Sequence, residues 1–225
     1  MASLHSYGPH PSQVCELFAT PEPVGVAVLV HGGFWRARYG RELEHAVARD
    51  LVARGWAVWN IEYRRLGEGG GWPTTFEDVR AAIEALPVDA ERVVAIGHSA
   101  GGQLAAWAAG EAPLSGVVSQ AGALDMRELW RLGTSDHVVR QLLGGSPDEV
   151  PERYDAATPR PPAGMPLLLV HGARDEDVPV SMSRAFAAAH GTDLVVIDDE
   201  GHYEHLEPDS RCWAAVTTWL RGLTP

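Results

Sequence analysis

Gly97-His98-Ser99-Ala100-Gly101 sets a serine between two glycines, each two residues away. A serine hydroxyl becomes a nucleophile when a base stands beside it. The apolar, mostly β-branched run at residues 93–96 precedes this pentapeptide, and Gly102, Gln103, Leu104 and an alanine-rich stretch with Trp107 follow it. This predicts a buried strand, a sharp turn and a helix, the context of a nucleophile elbow. Such a turn strains the serine backbone, and glycine on both sides lets strand and helix approach. The helix N-terminus beneath Ser99 favours developing negative charge.

A glycine-rich strand–helix turn with an incidental serine has the same spelling, so the reading depends on partners elsewhere. His202 lies in Gly201-His202-Tyr203-Glu204-His205. A near-neutral imidazole suits both taking the serine proton and returning it to a leaving group. His205 competes for this role. Asp175 and Asp177 flank Glu176 in His171-Gly-Ala-Arg-Asp-Glu-Asp-Val-Pro, and one of them would fix the imidazole tautomer. Asp125 is a further candidate. In His31-Gly32-Gly33-Phe34-Trp35, glycine backbone could approach a scissile carbonyl closely, with the Ala100 amide as the complementary donor. His202 and His205 lack a third residue at metal-ligand spacing, so neither metal nor cofactor is expected.

These residues require elements that bring them to one place. Apolar runs at 24–30, 57–63, 93–96, 114–119, 166–170 and 194–197 read as strands, and residues 14–18 as an edge strand. Amphipathic segments at 41–54, 74–86, 181–189 and 209–223 read as helices, with Gly55 closing the first and Thr74 or Thr75 capping the second. Residues 1–13 read as an extended arm. Residues 122–165 read as a small cap with helical pieces near 126–132 and 136–143. Alternation of strand and helix predicts one α/β domain over 1–225, with a mostly parallel sheet covered on both faces. Sites in such sheets lie at the carboxyl ends of the strands, where each candidate falls.

The 225 residues carry 45% hydrophobic and 21% charged side chains, the balance of a globular domain. A net charge of −12 argues against nucleic acid and anionic membrane as main partners. Every one of the 18 basic residues is arginine. Cys15 and Cys212 match no metal or redox spacing and read as buried thiols. With no apparent signal segment or apolar run of membrane-spanning length, a cytoplasmic enzyme is expected. Apolar helix faces leave a homodimer possible.

With these motifs assembled, the chain resembles the esterases and lipases of the α/β-hydrolase superfamily from about Val14 onward. His31-Gly-Gly-Phe-Trp is similar to the oxyanion motif of kynurenine formamidase (arylformamidase) and related bacterial carboxylesterases. The resemblance implies that the amides of Gly33 and Phe34 join Ala100 in the oxyanion hole. Glu62-Tyr63-Arg64 resembles an Asp-Tyr-Arg in related esterases, with Glu for Asp. His171 to Pro179 resembles a motif whose first aspartate is the catalytic acid, which selects Asp175. Residues 142–154 resemble the cap region of this group. The expectation is a serine hydrolase with Ser99, Asp175 and His202 as triad, cleaving a small ester or a formamide. Trp35, Trp72 and Tyr203 are its expected pocket residues, and Arg64, Arg65 or Arg127 candidates for a substrate carboxylate. A serine-peptidase-like amide hydrolase and a non-catalytic ligand-binding protein of the same fold are the alternatives.

Overall fold

The computed structural model describes residues 2–88 and 90–223; Met1, Asp89, Thr224 and Pro225 of the expected domain lie outside them. Eight strands form one sheet: β1 (Ser3–Ser6), β2 (Val14–Phe18), β3 (Val26–Val30), β4 (Ala57–Ile61), β5 (Val93–His98), β6 (Gly116–Gln120), β7 (Leu167–Gly172) and β8 (Asp193–Ile197). Their order is β1-β2-β4-β3-β5-β6-β7-β8. The β1–β2 and β2–β4 pairs are antiparallel, and every pair from β4 to β8 is parallel.

The buried strands divide their side chains between two cores. Val26, Val28 and Val30 of β3 face one core, and Ala27 and Leu29 face the other. This is the period of two that a strand imposes, and burial on both faces removes any polar alternation. Helices α1 (His45–Ala53) and α8 (Arg211–Leu223) cover one face through Leu51, Trp213 and Val216. Helices α2 (Thr74–Glu84) and α3 (Ala100–Ala108) cover the other through Phe76, Val79 and Leu104. The segment after β6 contributes α4 (Met126–Leu132), α5 (Thr134–Leu143) and α6 (Pro151–Ala157) to this side, and α7 (Val180–His190) follows β7. Both thiols are free and buried.

Three expectations need correction. Residues 1–13 are not only an arm, because Ser3–Ser6 pairs with β2 from Ser3↔Leu17 to Ser6↔Val14. This covers the backbone groups β2 would otherwise leave unpaired, so β2 is not an edge strand. Neither Thr74 nor Thr75 caps α2; Pro73 holds that position. The Thr75 hydroxyl instead accepts from Gly71 N–H (3.0 Å) and donates to the Arg64 carbonyl (2.6 Å), tying the preceding loop together. The cap also holds a third helix, α6, whose proline at the first turn begins it.

Candidate active site

Ser99 sits between β5 and α3 with φ 56° and ψ −118°, a strained conformation for a residue with a side chain. The flanking glycines have a steric cause. A Cβ on Gly97 would collide with the Gly101 carbonyl, and one on Gly101 with the Val30 carbonyl. The turn is pinned from the next strand, where Ser99 N–H donates to the Gln120 carbonyl at 2.8 Å.

His202 follows β8, and its Nδ1 lies 2.6 Å from Asp175 Oδ2. Asp175 Oδ1 accepts the amides of Asp177 (2.9 Å) and Val178 (2.7 Å), which orients the carboxylate. His171 Nε2 lies 3.2 Å from Asp175 Oδ2 and 2.9 Å from the Val178 carbonyl, so this nitrogen carries a proton. Burial pushes the Asp175 pKa up, but the hydrogen bonds from His171 and His202 outweigh it and hold the carboxyl well below its usual range. Asp125 lies elsewhere, capping α4 through the amides of Arg127 and Glu128. Asp177 contributes its amide, not its carboxylate, to this arrangement.

His98, immediately before the serine, links the two halves of the site. Its Nε2 donates to the His202 carbonyl at 2.7 Å, and the two rings are 4.7 Å apart. Burial and the neighbouring His202 lower its pKa to about 3, so it stays neutral. Among the described residues, Ser99 and His202 form no side-chain hydrogen bond with each other. His205 is buried beyond His98 with both ring nitrogens unpartnered, and it does not reach Asp175.

The loop after β3 has positive φ at Gly33 (107°), Phe34 (55°) and Trp35 (54°). A Cβ on Gly33 would strike the Tyr39 ring. The Gly33, Phe34 and Ala100 amides donate to no other described residue. A buried framework holds this loop. The His31 ring stacks on Tyr63 at 4.4 Å, Tyr63 Oη donates to the His31 carbonyl (2.8 Å), and His31 Nε2 meets Glu62 Oε1 (2.8 Å). Glu62 also faces Arg65 at 3.2 Å and accepts the Arg41 amide at 3.1 Å. Sequence reading missed these supporting roles of His98, His171 and Glu62. For His98 the available signal was an imidazole directly beside Ser99 at a strand end; His171 and Glu62 lie at strand ends without such a neighbour.

Beside Ser99 lies a cavity of about 10 Å3. Phe34, Trp35, Ala100 and Ala123 form its base, and Leu129, Thr134, Val138 and Val139 of the cap roof it. Trp35 is thus part of the wall. Trp72 is not, since its ring packs edge-on against Phe76 at 4.9 Å and it lines no part of this cavity. Tyr203 is 60% exposed and stands edge-on to His202 at 5.2 Å, on the solvent side. Arg64 is paired with Asp78, Arg65 with Glu62 and Glu68, and Arg127 with Asp155.

The sheet order, the elbow after β5 and the loops after β7 and β8 define an α/β-hydrolase fold. A family model described as BD-FAE matches residues 18–189, and the chain belongs to that family. Esterase LipC of Mycobacterium tuberculosis is 27% identical over 216 residues, covering 80% of this chain and 52% of that protein. The chain thus spans about half the length of the curated relatives it matches. A bifunctional GH43-CE protein of Bacteroides eggerthii superposes with TM-score 0.83 at 19% identity, over 96% of this chain and 37% of that one. Native esterase 2 of Thermogutta terrifontis superposes with TM-score 0.76 at 21% identity, over 99% and 91%. At these identities the structural likenesses speak to the fold. Among the described residues no helix is long and apolar enough to cross a membrane.

Proposed function

We propose that this chain is a serine esterase acting through an acyl-enzyme. His202 takes the Ser99 proton as Oγ attacks the ester carbonyl. The Gly33, Phe34 and Ala100 amides receive the oxyanion, a contribution of about 3–4 kcal/mol for each well-placed donor. Asp175 keeps the His202 Nδ1–H tautomer and steadies the imidazolium. His202 then protonates the departing alcohol, and water repeats the cycle to release the acid. Hydrogen bonds between such a serine and histidine tighten in the substrate complex. The observation that carries the reading is the 2.6 Å His202–Asp175 contact, tied through the bond from His98 Nε2 to the His202 carbonyl to the residue preceding a serine held at φ 56°.

The family match and the names of the LipC and LipQ esterases support an ester substrate. A formamide remains the second reading, favoured by the small cavity, which suits a formyl group. The ester reading takes precedence because Arg64, Arg65 and Arg127 are each salt-bridged, which leaves the kynurenine-like carboxylate without the partners considered for it. One structural neighbour is named a carbohydrate esterase, so a sugar acetate belongs among the test substrates. The test is hydrolysis of p-nitrophenyl acetate, a sugar acetate and N-formylkynurenine by wild type and Ser99→Ala. Ester turnover lost in the variant supports the reading. Dominant kcat/KM on N-formylkynurenine replaces it with the formamidase, and equal rates for both proteins on all three remove the serine mechanism.

A further inference from the structure

We infer that the cap roof limits the acyl group to two carbons and that Arg36 holds this roof in place. The inference rests on the ester-hydrolase reading.

The centre of a water-sized group has only about 10 Å3 to move in this cavity, which leaves room for a group somewhat larger than a single water and little more. Its place in the site identifies what it receives. The leaving oxygen must face His202, which supplies its proton, and His202 is not in the cavity wall. The carbonyl oxygen must face the Phe34 and Ala100 amides, whose residues are in the wall. The acyl substituent is what remains to enter the cavity. A methyl group fits, while longer chains meet Val138, Val139 and Leu129. A β-branched valine in a helix is confined largely to one χ1 rotamer, so the two valines of α5 do not swing aside.

The roof departs from regular helix at its start. Ser135, Asp136 and His137 have φ of 46°, 55° and 51°, left-handed values that side chains disfavour. One arginine fastens this turn. Arg36 donates through Nη2 to the Ser135 carbonyl (2.7 Å) and through Nη1 to Gln141 Oε1 (3.2 Å). Gln141 Nε2 in turn donates to the Asp136 carbonyl (2.7 Å). The Arg36 amide donates to the Gly33 carbonyl at 3.0 Å. One residue therefore joins the loop carrying the candidate oxyanion amides to the roof of the acyl cavity, as a positioning residue.

The experiment compares kcat/KM for p-nitrophenyl acetate, butyrate and octanoate in wild type, Val138→Ala, Val139→Ala, Arg36→Ala and Arg36→Lys, with melting temperatures for each. Wild type is expected to favour acetate over butyrate by at least tenfold. Each valine variant is expected to raise the butyrate-to-acetate ratio about tenfold, and Arg36→Ala to raise it more than Arg36→Lys does. A general loss of structure would lower both rates without moving the ratio in this direction. If a valine variant fails to fold, Ala123→Val gives the converse test: the acetate-to-formate ratio of the p-nitrophenyl esters should fall at least tenfold. A wild type that prefers butyrate or octanoate, or ratios unmoved in the folded variants, overturns the inference and leaves the esterase standing. Absence of turnover on every ester overturns both.

Discussion

Oδ2 of Asp175 lies 2.6 Å from His202 Nδ1, and the same oxygen lies 3.2 Å from His171 Nε2. One carboxylate thus holds two imidazoles, and its other oxygen is occupied by two backbone amides. Those bonds outweigh burial and keep it ionised at neutral pH. Asp175→Asn keeps the shape but removes the acceptor that fixes the His202 tautomer. On the proposed serine mechanism, loss of kcat by about 10⁴ is expected, as for a triad aspartate. Asp177→Asn should stay within about threefold of wild type, because only its amide meets Asp175. Steady-state kinetics on p-nitrophenyl acetate check both; a larger loss in Asp177→Asn would reassign the acid.

The backbone of Ser99 predicts a trade between stability and activity. Its φ of 56° with ψ of −118° is costly for any residue with a Cβ, on the order of 1–3 kcal/mol. Glycine adopts it freely but gains entropy in the unfolded chain, which offsets about 0.5–1 kcal/mol. Ser99→Gly is therefore expected to raise the melting temperature by roughly 2–4 °C, at about 1 kcal/mol net, while abolishing esterase turnover. Calorimetry decides; a lower melting temperature would show that the elbow is not strained.

The parallel core of the sheet was legible because buried strands are continuous apolar runs, as in residues 26–30 and 93–96. The first strand was not. Ser3–Ser6 is polar and mostly exposed, and what fixes it is its partner β2. Around the site, spacing brought forward Ser99, His202 and the Asp175–Asp177 pair because each stands at a strand end with a glycine or proline nearby. It did not distinguish Asp175 from Asp177, since that choice depends on how the loop folds its own amides onto one carboxylate. Trp72 was misplaced for a related reason: an aromatic ring in a loop satisfies a core as readily as a pocket, and this one found Phe76.

Glu62 stands where the resembled pattern has Asp, and its one carboxylate meets His31, Arg65 and the Arg41 amide. Burial raises its pKa, but the hydrogen bond and charge of His31 prevail and hold it below the ordinary value. Glu62→Gln turns one acceptor into a donor facing this cluster and loosens His31 on its loop. A fall in kcat of about 10- to 100-fold is expected, less than the 10²–10³ for removing an oxyanion donor outright. KM should change little, since ground-state contacts to the substrate remain. A pure KM effect would place Glu62 in binding instead.

Glu44 gives a dependence on pH that a single substitution isolates. It ends the 3-10 turn Arg41–Glu44 with its side chain buried and Oε1 without a partner. Burial alone raises its pKa from 4.5 to about 8. Between these values the folded protein keeps a proton that the unfolded chain releases. Stability must then fall as pH rises, by up to about 1.4 kcal/mol per pH unit, and level off above the folded pKa. Glu44→Gln preserves the shape and removes the titration. Urea unfolding at pH 5 and pH 8 should show wild type losing about 4 kcal/mol relative to the variant across that interval, as an upper value. Other titrating groups are common to both proteins and cancel in the comparison. Parallel pH profiles for the two would mean that Glu44 is ionised in the folded state.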